Sequence, residues 1–184
     1  DPALLPDLKD ISDAWLASQS GAEKGFSVGH FNPDYLSRLP CAVVRKDGKI
    51  VAFANMWLGA KKAELSVDLM RYRPGALYGV MDYLFVELML WGKAQGYAWF
   101  NLGMAPLSGL GARHLSPVWY RFGALAYKFG DTFYNFQGLR KYKEKFHPEW
   151  RPKFLACPGG MALARVLLDV ASLISGGVKG WIKP

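Results

Sequence analysis

The 184-residue sequence predicts an α+β (mixed α/β) domain around a central, mostly antiparallel sheet. Three observations carry that prediction. β-Branched runs flank Asp47-Gly48 in "CAVVRKDGKIVAFANMWL", the signature of a tight hairpin. A third strand-like run, "AELSVDLMRY", follows at once. A long apolar helix pattern, "GALYGVMDYLFVELMLWGKAQG", then leads into another strand-like segment, "YAWFNLGMAP".

The elements can be justified in order. Leu4, Leu8, Ile11 and Trp15 recur at helical spacing, with Gly21 as the expected close. Asn32-Pro33 opens a short second helix, Asn as cap and Pro at the first position. The hairpin and the third strand come next, the third antiparallel to the second. Gly96 stops the long helix, and "YAWFNLGMAP" reads as a buried strand ending at Gly103 and Pro106. "SPVWYRFGALAYKF" reads as a helix capped by Ser116 with Pro117 at its first position. "FQGLRKYKEKFHPEW" is a short basic helix, "RPKFLACP" a strand, and "MALARVLLDVASLIS" a last helix before Gly176-Gly177. No repeat or low-complexity linker interrupts the chain. One domain over residues 1–184 is therefore expected, with a C-terminal helix and tail over 161–184.

Composition narrows the function. An apolar fraction of 51% with 15% aromatics excludes disorder. No apolar run reaches the length that spans a bilayer. The opening "DPALLPDLKD" lacks the basic flank and cleavage site of a signal peptide, and the missing Met suggests a piece of a longer protein. The net charge is +8, and residues 138–153 hold six Lys/Arg against two Glu, a net +4. Half the imbalance thus sits in one segment, which suits either a solvated helix face or a polyanionic partner. Cys41 and Cys157 lack metal spacing and read as buried thiols of a reducing compartment. His30, His114 and His147 are isolated, so no metal is expected. Ser108 has no His at a suggestive spacing, and no GxSxG elbow exists. In the last helix, Arg165 and Asp169 stand four apart on an otherwise apolar surface, followed by Lys179, Trp181 and Lys183. A core helix with a flexible tail is the expectation; an interfacial contact with anionic headgroups is the alternative.

The candidate site begins with Asp68, mid-strand among apolar residues in "LSVDLMRY". A carboxylate there is either buried and paired or facing a cleft. Arg71 accompanies it, and a structural Asp–Arg pair at a strand end is the bland reading. Regular strand geometry points residues 68 and 71 to opposite faces. Both can serve one site only if the strand breaks or bulges near Met70, and Pro74 and Gly75 favour an early end. On the basic helix, Arg140, Lys143 and His147 share one face and Lys141 and Lys145 another. Phe136, Leu139, Tyr142 and Phe146 form its apolar stripe, so the rings anchor the helix and the lysines are what it presents. Tyr35, after the capping turn, either lines a cleft or packs half-buried. Asn101, at the end of the strand after the long helix, either meets a ligand or caps a loop.

This element order matches the GNAT-like acyltransferase architecture, in which the fourth strand splays from the fifth and the gap holds the acyl donor. Here those strands are "ELSVDLMRY" and "AWFNLGMAP". The segments "EKGFSVGHFNPDYL", "VDLMRYRPGALYGVMDYLF", "WGKAQGYAWFNLGMAPLSGL" and "FQGLRKYKEKFHPEW" resemble the MprF family of bacterial aminoacyl-phosphatidylglycerol synthases, over nearly the whole chain. Among members the alanyl enzymes look most similar. The resemblance implies the second of two GNAT-like halves of a catalytic region on the cytoplasmic face of the inner membrane, preceded by the first half and a membrane region. It implies transfer of an aminoacyl group from aminoacyl-tRNA to a glycerol hydroxyl of phosphatidylglycerol, which changes membrane surface charge and resistance to cationic antimicrobials. It implies no cofactor: the donor ester is already activated, so neither CoA nor ATP is needed. Its partners are the tRNA, the lipid and an anionic membrane surface.

Under the resemblance, Asp68, Arg71 and Lys143 are the catalytic candidates. Asp68 holds the α-amino group or takes the hydroxyl proton, and anchoring is the safer role because carboxylates are weak bases at neutral pH. Arg71 suits bidentate binding of the lipid phosphate. Lys143 lies near the phosphate or the developing oxyanion. Tyr35, Arg73, Asn101 and Lys145 are expected to bind substrate. A CoA-dependent N-acyltransferase is the runner-up. Its relatives carry [RQ]xxGx[GA] after the strand; this chain has "RYRPGALYG", with an extra residue and a Pro that removes an amide donor. Arg73 and Gly75 could still form a looser anion site. A non-catalytic adaptor for RNA or anionic membrane is the third reading.

Overall fold

A computed structural model describes residues 2–18, 29–105, 108 and 136–154, with single positions 156, 158, 162, 165, 166, 169 and 170. The chain divides into two compact units, Asp1–Asn101 with Leu155–Pro184, and Leu102–Phe154.

In the first unit a short 3-10 turn, Pro2–Leu4, leads into α1, Leu5–Ala17. Its buried positions are Leu8 and Ile11, three apart, and the neighbouring Ser12. The helix stops before Gly21, because the Ser18 hydroxyl and amide both donate to the Trp15 carbonyl. Helix α2, Pro33–Leu36, starts as expected: the Asn32 side chain accepts from the Tyr35 amide at 3.0 Å, with Pro at the first turn. Strands β1, Cys41–Lys46, and β2, Lys49–Leu58, meet at Asp47-Gly48, both with positive φ (51° and 77°), the backbone a two-residue hairpin needs. Strand β3, Glu64–Tyr72, runs antiparallel to β2. Helix α3, Val80–Ala94, ends before Gly96 at φ 82° and returns the chain to β4, Trp99–Asn101. The sheet order is β1-β2-β3-β4, with β4 parallel to β3. This is the mixed α/β class with a central, mostly antiparallel sheet that the element order predicts.

Two expectations are corrected. The buried strand expected over "YAWFNLGMAP" is β4, only three residues long, with Trp99 about half exposed (49%) and Asn101 exposed. It pairs with β3 only over Glu64–Ser66, and Gly103 then turns the chain at φ 76°. No strand forms at residues 151–154, where Pro152 withholds a ladder amide. The Ser116–Pro117 helix, His114, Cys157 and the tail with Lys179, Trp181 and Lys183 lie outside the described residues. Positions 162, 165, 166, 169 and 170 are helical, and Arg165 and Asp169 are exposed and 3.9 Å apart. Cys41 is a half-buried free thiol, pushed up to about 11 by burial.

The sheet of the first unit has two unlike faces. One packs Val44, Val51, Ala52, Ala54, Met56 and Leu65 against Val80, Leu84 and Leu88 of α3. The other packs Ile50, Phe53 and Leu69 against Leu8 and Ile11 of α1 and Leu36 of α2. Along β3, Leu65, Val67, Met70 and Tyr72 belong to the α3 side, whereas Leu69 belongs to the α1 side and Arg71 lies over Trp15 of α1. The alternation therefore slips once between Val67 and Met70. The ladder shows why: Met56 pairs with Val67 and Ala54 with Met70, so Asn55 alone opposes both Asp68 and Leu69. This is a β-bulge, one residue earlier than the sequence placed it.

The bulge is held from both sides. The fully buried Asn55 accepts the Leu69 amide through Oδ1 at 2.6 Å, pairing a donor that the ladder cannot satisfy. Gly29 presses its backbone onto the same residue: a Cβ there would stand 2.7 Å from the Leu69 nitrogen and 2.8 Å from its Cα. Asn55→Leu keeps the branched side-chain shape, though not its size, and orphans that amide. A loss of about 1–3 kcal/mol is expected, seen as a lower urea midpoint with an unchanged m-value; an unaltered midpoint would show that the amide finds another acceptor.

Candidate functional site

The bulge decides what β3 presents. Because it adds one residue, Asp68, Leu69 and Arg71 all serve the α1 side of the sheet. Asp68 is half-buried, and its Oδ2 accepts the Tyr35 hydroxyl at 3.0 Å. Tyr35 is positioned by the Asn32 cap of α2 and packs partly into the α1-side core. Its hydroxyl oxygen accepts the indole N–H of Trp57 at 2.6 Å. Burial, first, and the Asp68 carboxylate push the Tyr35 hydroxyl above its usual pKa, against the pull of the Trp57 N–H. Tyr35 therefore stays a phenol and donates.

Arg71 is nearly buried (8% exposed). Its guanidinium lies 4.1 Å from the Trp15 ring centre, and one arm donates to the Met70 carbonyl at 2.9 Å. No Asp68–Arg71 contact is found among the described residues, so the bland reading of a mutual ion pair does not describe them. Arg73 points to α1, where it is paired with Asp10. Asn101 donates to the Glu64 carboxylate at 3.0 Å across the β3–β4 pairing.

The second unit carries the basic helix α4, Phe136–Glu144. Tyr142 and Phe146 are half-buried and meet edge to face at 5.7 Å, as an apolar stripe should. Lys141 and Lys145 are exposed, and Lys145 lies 4.8 Å from the Tyr142 ring centre. Arg140 pairs with Glu144 at 2.7 Å and lies over Trp150 at 4.7 Å. Lys143 breaks the expectation that the helix presents its lysines: it is 7% exposed. Its ammonium donates to the Met104 carbonyl at 2.8 Å, beside Gly103, where a Cβ would stand 3.5 Å from Nζ. Burial lowers its pKa from 10.5 to about 8. A solvated lysine is therefore excluded.

The sequence between Asp1 and Cys157 matches the family described as phosphatidylglycerol lysyltransferase, C-terminal. The chain belongs to this family. It is 46% identical over 173 residues to the phosphatidylglycerol lysyltransferase of Bacillus subtilis strain 168, covering 94% of this chain and 20% of the relative. It is 40% identical over 169 residues to that of Staphylococcus epidermidis, covering 91% and 20%. The chain thus spans about a fifth of the length of these curated relatives. Among solved structures, a C-terminal domain from Agrobacterium fabrum superposes with a TM-score of 0.81 at 46% identity, covering 97% of this chain and 53% of the other. L-PGS from Bacillus licheniformis gives 0.78 at 42%, covering 96% and 53%.

For a lysyltransferase-family domain, three residues went unnoticed in the sequence: Asn55, Trp57 and Gly29. Asn55 had a readable signal, being the one polar residue in the apolar run "IVAFANMW". Gly29 and Trp57 had none, since each matters through a partner far along the chain. The described residues offer no group of His, Cys and carboxylate side chains suited to a metal.

The Lys143 environment yields a signed expectation. The folded amine releases its proton near pH 8, the unfolded one near 10.5. Burial of the charge therefore costs stability below pH 8, and the cost disappears as pH rises from 8 to 10.5. Lys143→Met should stabilise the chain at pH 7 by about 2 kcal/mol, the charge penalty less the lost Met104 bond. Denaturation curves at pH 7 and pH 10.5 should show that gain shrinking; a gain independent of pH would refute the assignment.

Proposed function

We propose that this chain is the portion of a phosphatidylglycerol lysyltransferase that serves transfer of the aminoacyl group from aminoacyl-tRNA to a glycerol hydroxyl of the lipid. One observation carries the reading: the bulge turns Asp68 and Arg71 to the same face of the sheet, an acceptor and a cation on a scaffold held by Asn55 and Gly29. Among the described residues Tyr35 is the hydrogen-bond partner of Asp68, through Oδ2, which leaves Oδ1 for substrate.

The reaction is ester exchange. The lipid hydroxyl oxygen bonds to the aminoacyl carbonyl carbon, the bond to the tRNA ribose oxygen breaks, and the hydroxyl proton passes to that leaving oxygen. The protein's tasks are to orient the hydroxyl, hold the α-ammonium and stabilise the tetrahedral oxyanion. Asp68 is assigned the ammonium, and Arg71 and Lys143 the phosphate and oxyanion charge. The names of relatives at 40–46% identity support lysine as the transferred residue over the alanine that the sequence resemblance favoured. Among the described residues no helix is long and apolar enough to cross a membrane. We assign membrane attachment and the first catalytic half, which the sequence resemblance implies, to the rest of the protein, since this chain spans about a fifth of its relatives' length.

CoA chemistry is not favoured. In the turn after β3, Arg73 and Ala76 commit their amides to carbonyls (Val51 and Arg73), and Pro74 has none. Asp82 places a carboxylate in the first turn of α3, where a pyrophosphate would bind.

The full-length enzyme, given Lys-tRNA and phosphatidylglycerol vesicles, should form lysyl-lipid, and treatment of the tRNA with RNase should abolish it. Ala-tRNA should react at least tenfold more slowly. Asp68→Ala, Arg71→Ala and Lys143→Ala should each lower kcat/KM by about a hundredfold or more, the scale of a lost transition-state contact. Unchanged turnover in all three would refute the assignment.

A further inference from the structure

We infer that Trp57 is a positioning residue for this reaction: its indole N–H fixes the direction of the Tyr35 hydroxyl proton, and so selects which oxygen of Asp68 is left open to substrate. The inference rests on the function proposed above and adds a residue to it.

The argument is one of donors and acceptors. An indole N–H can only donate. At 2.6 Å from the Tyr35 oxygen it occupies that oxygen as an acceptor. The phenol has one proton left to place, and the Asp68 Oδ2 lies 3.0 Å away. Without Trp57 the hydroxyl could turn within the plane of its ring and accept from, rather than donate to, a neighbour. With it, the string Trp57 to Tyr35 to Asp68 runs in one direction. Oδ2 is filled and Oδ1 stays open.

Among the described residues, packing gives Trp57 no competing reason to be there. Its side chain is half exposed (50%), and it belongs to neither buried core of the first unit. Its place in the strand is also telling. Asn55 and Trp57 are two apart on β2 and so share a face. Asn55 holds the backbone beneath Asp68 through the Leu69 amide. Trp57 holds the hydroxyl that meets the Asp68 carboxylate. One strand thus fixes both the position and the open oxygen of the acid on its neighbour.

The test is a double-mutant cycle in the full-length enzyme, using single-turnover rates with Lys-tRNA and phosphatidylglycerol vesicles so that slow variants stay measurable. Trp57→Phe removes the N–H and keeps a ring. It should lower the rate about five- to tenfold, the worth of one ordinary hydrogen bond. Tyr35→Phe should lower it at least as much. In the Tyr35→Phe background, adding Trp57→Phe should cost less than a further twofold, because its effect passes through the missing hydroxyl. A merely structural Trp57 would give multiplied losses instead. Replacing Trp57 with benzothienylalanine, which swaps only the N–H for sulfur, should reproduce Trp57→Phe and so separates the hydrogen bond from ring size. A Trp57→Phe or Tyr35→Phe enzyme with wild-type rates, or multiplied losses in the double variant, overturns the inference alone. A wild-type enzyme that forms no aminoacyl-lipid overturns the functional reading and the inference together.

Discussion

One hydrogen bond underlies the rest: Asn55 Oδ1 receiving the Leu69 amide. Inserting a residue into an antiparallel ladder leaves one amide without a partner, and in a buried strand that amide must be paired or the bulge becomes costly. A side chain from the opposing strand supplies the acceptor without disturbing the ladder on either side. The consequence reaches well beyond one bond. Downstream of the bulge every side chain of β3 changes face, so Met70 and Tyr72 join the α3 core while Arg71 comes to Trp15. Remove the extra residue and Arg71 would face the apolar α3 layer, where a guanidinium has nothing to meet.

The two faces of the sheet carry different duties as a result. The α3 side is apolar throughout and anchors the first unit through Leu65, Leu84 and Leu88. Gly92 lets helix and strand approach there, since a Cβ would stand 2.8 Å from Leu65 Cδ2. The α1 side is apolar where Ile50, Phe53 and Leu69 meet Leu8, Ile11 and Leu36. Further along it carries Tyr35, Asn55, Trp57, Asp68 and Arg71. Polar groups inside a sheet face cost desolvation unless each has a designated partner. Their concentration on one side, with Trp57, Tyr35 and Asp68 joined in one hydrogen-bonded string, supports the site we propose there.

Much of the fold was legible because it is local. Asp47-Gly48 dictates its hairpin, Asn32-Pro33 its cap, and the spacing of Leu8 and Ile11 the inner side of α1. The bulge was half legible: period-two geometry shows that Asp68 and Arg71 conflict, and a slip near Met70 resolves it. Its agents were not, because Gly29 and Asn55 act on Leu69 from 40 and 14 positions away. Strand β4 was overread, since an apolar run does not reveal how many of its residues will find a ladder partner. Lys143 was misread as a presented lysine for a related reason. Helical spacing places it beside Arg140, yet it is the carbonyl of Met104, outside the helix, that draws its ammonium inward.

The turn between β3 and α3 bears on the kind of donor proposed. An anion cradle needs several amides aimed at one point and no opposing charge nearby. Here the Arg73 amide is bonded to Val51, the Ala76 amide to Arg73, and Pro74 contributes none. The Arg73 guanidinium is engaged by Asp10. Asp82 then sets a negative charge in the first helical turn. Each of these is an ordinary way to stabilise a strand-to-helix corner, and together they make the corner less favourable for a pyrophosphate. Such a corner suits the donor we propose, an ester already activated, better than one carried on a pyrophosphate. Under the function we propose, Asp68 complements the ammonium that an aminoacyl ester carries and an acetyl group lacks.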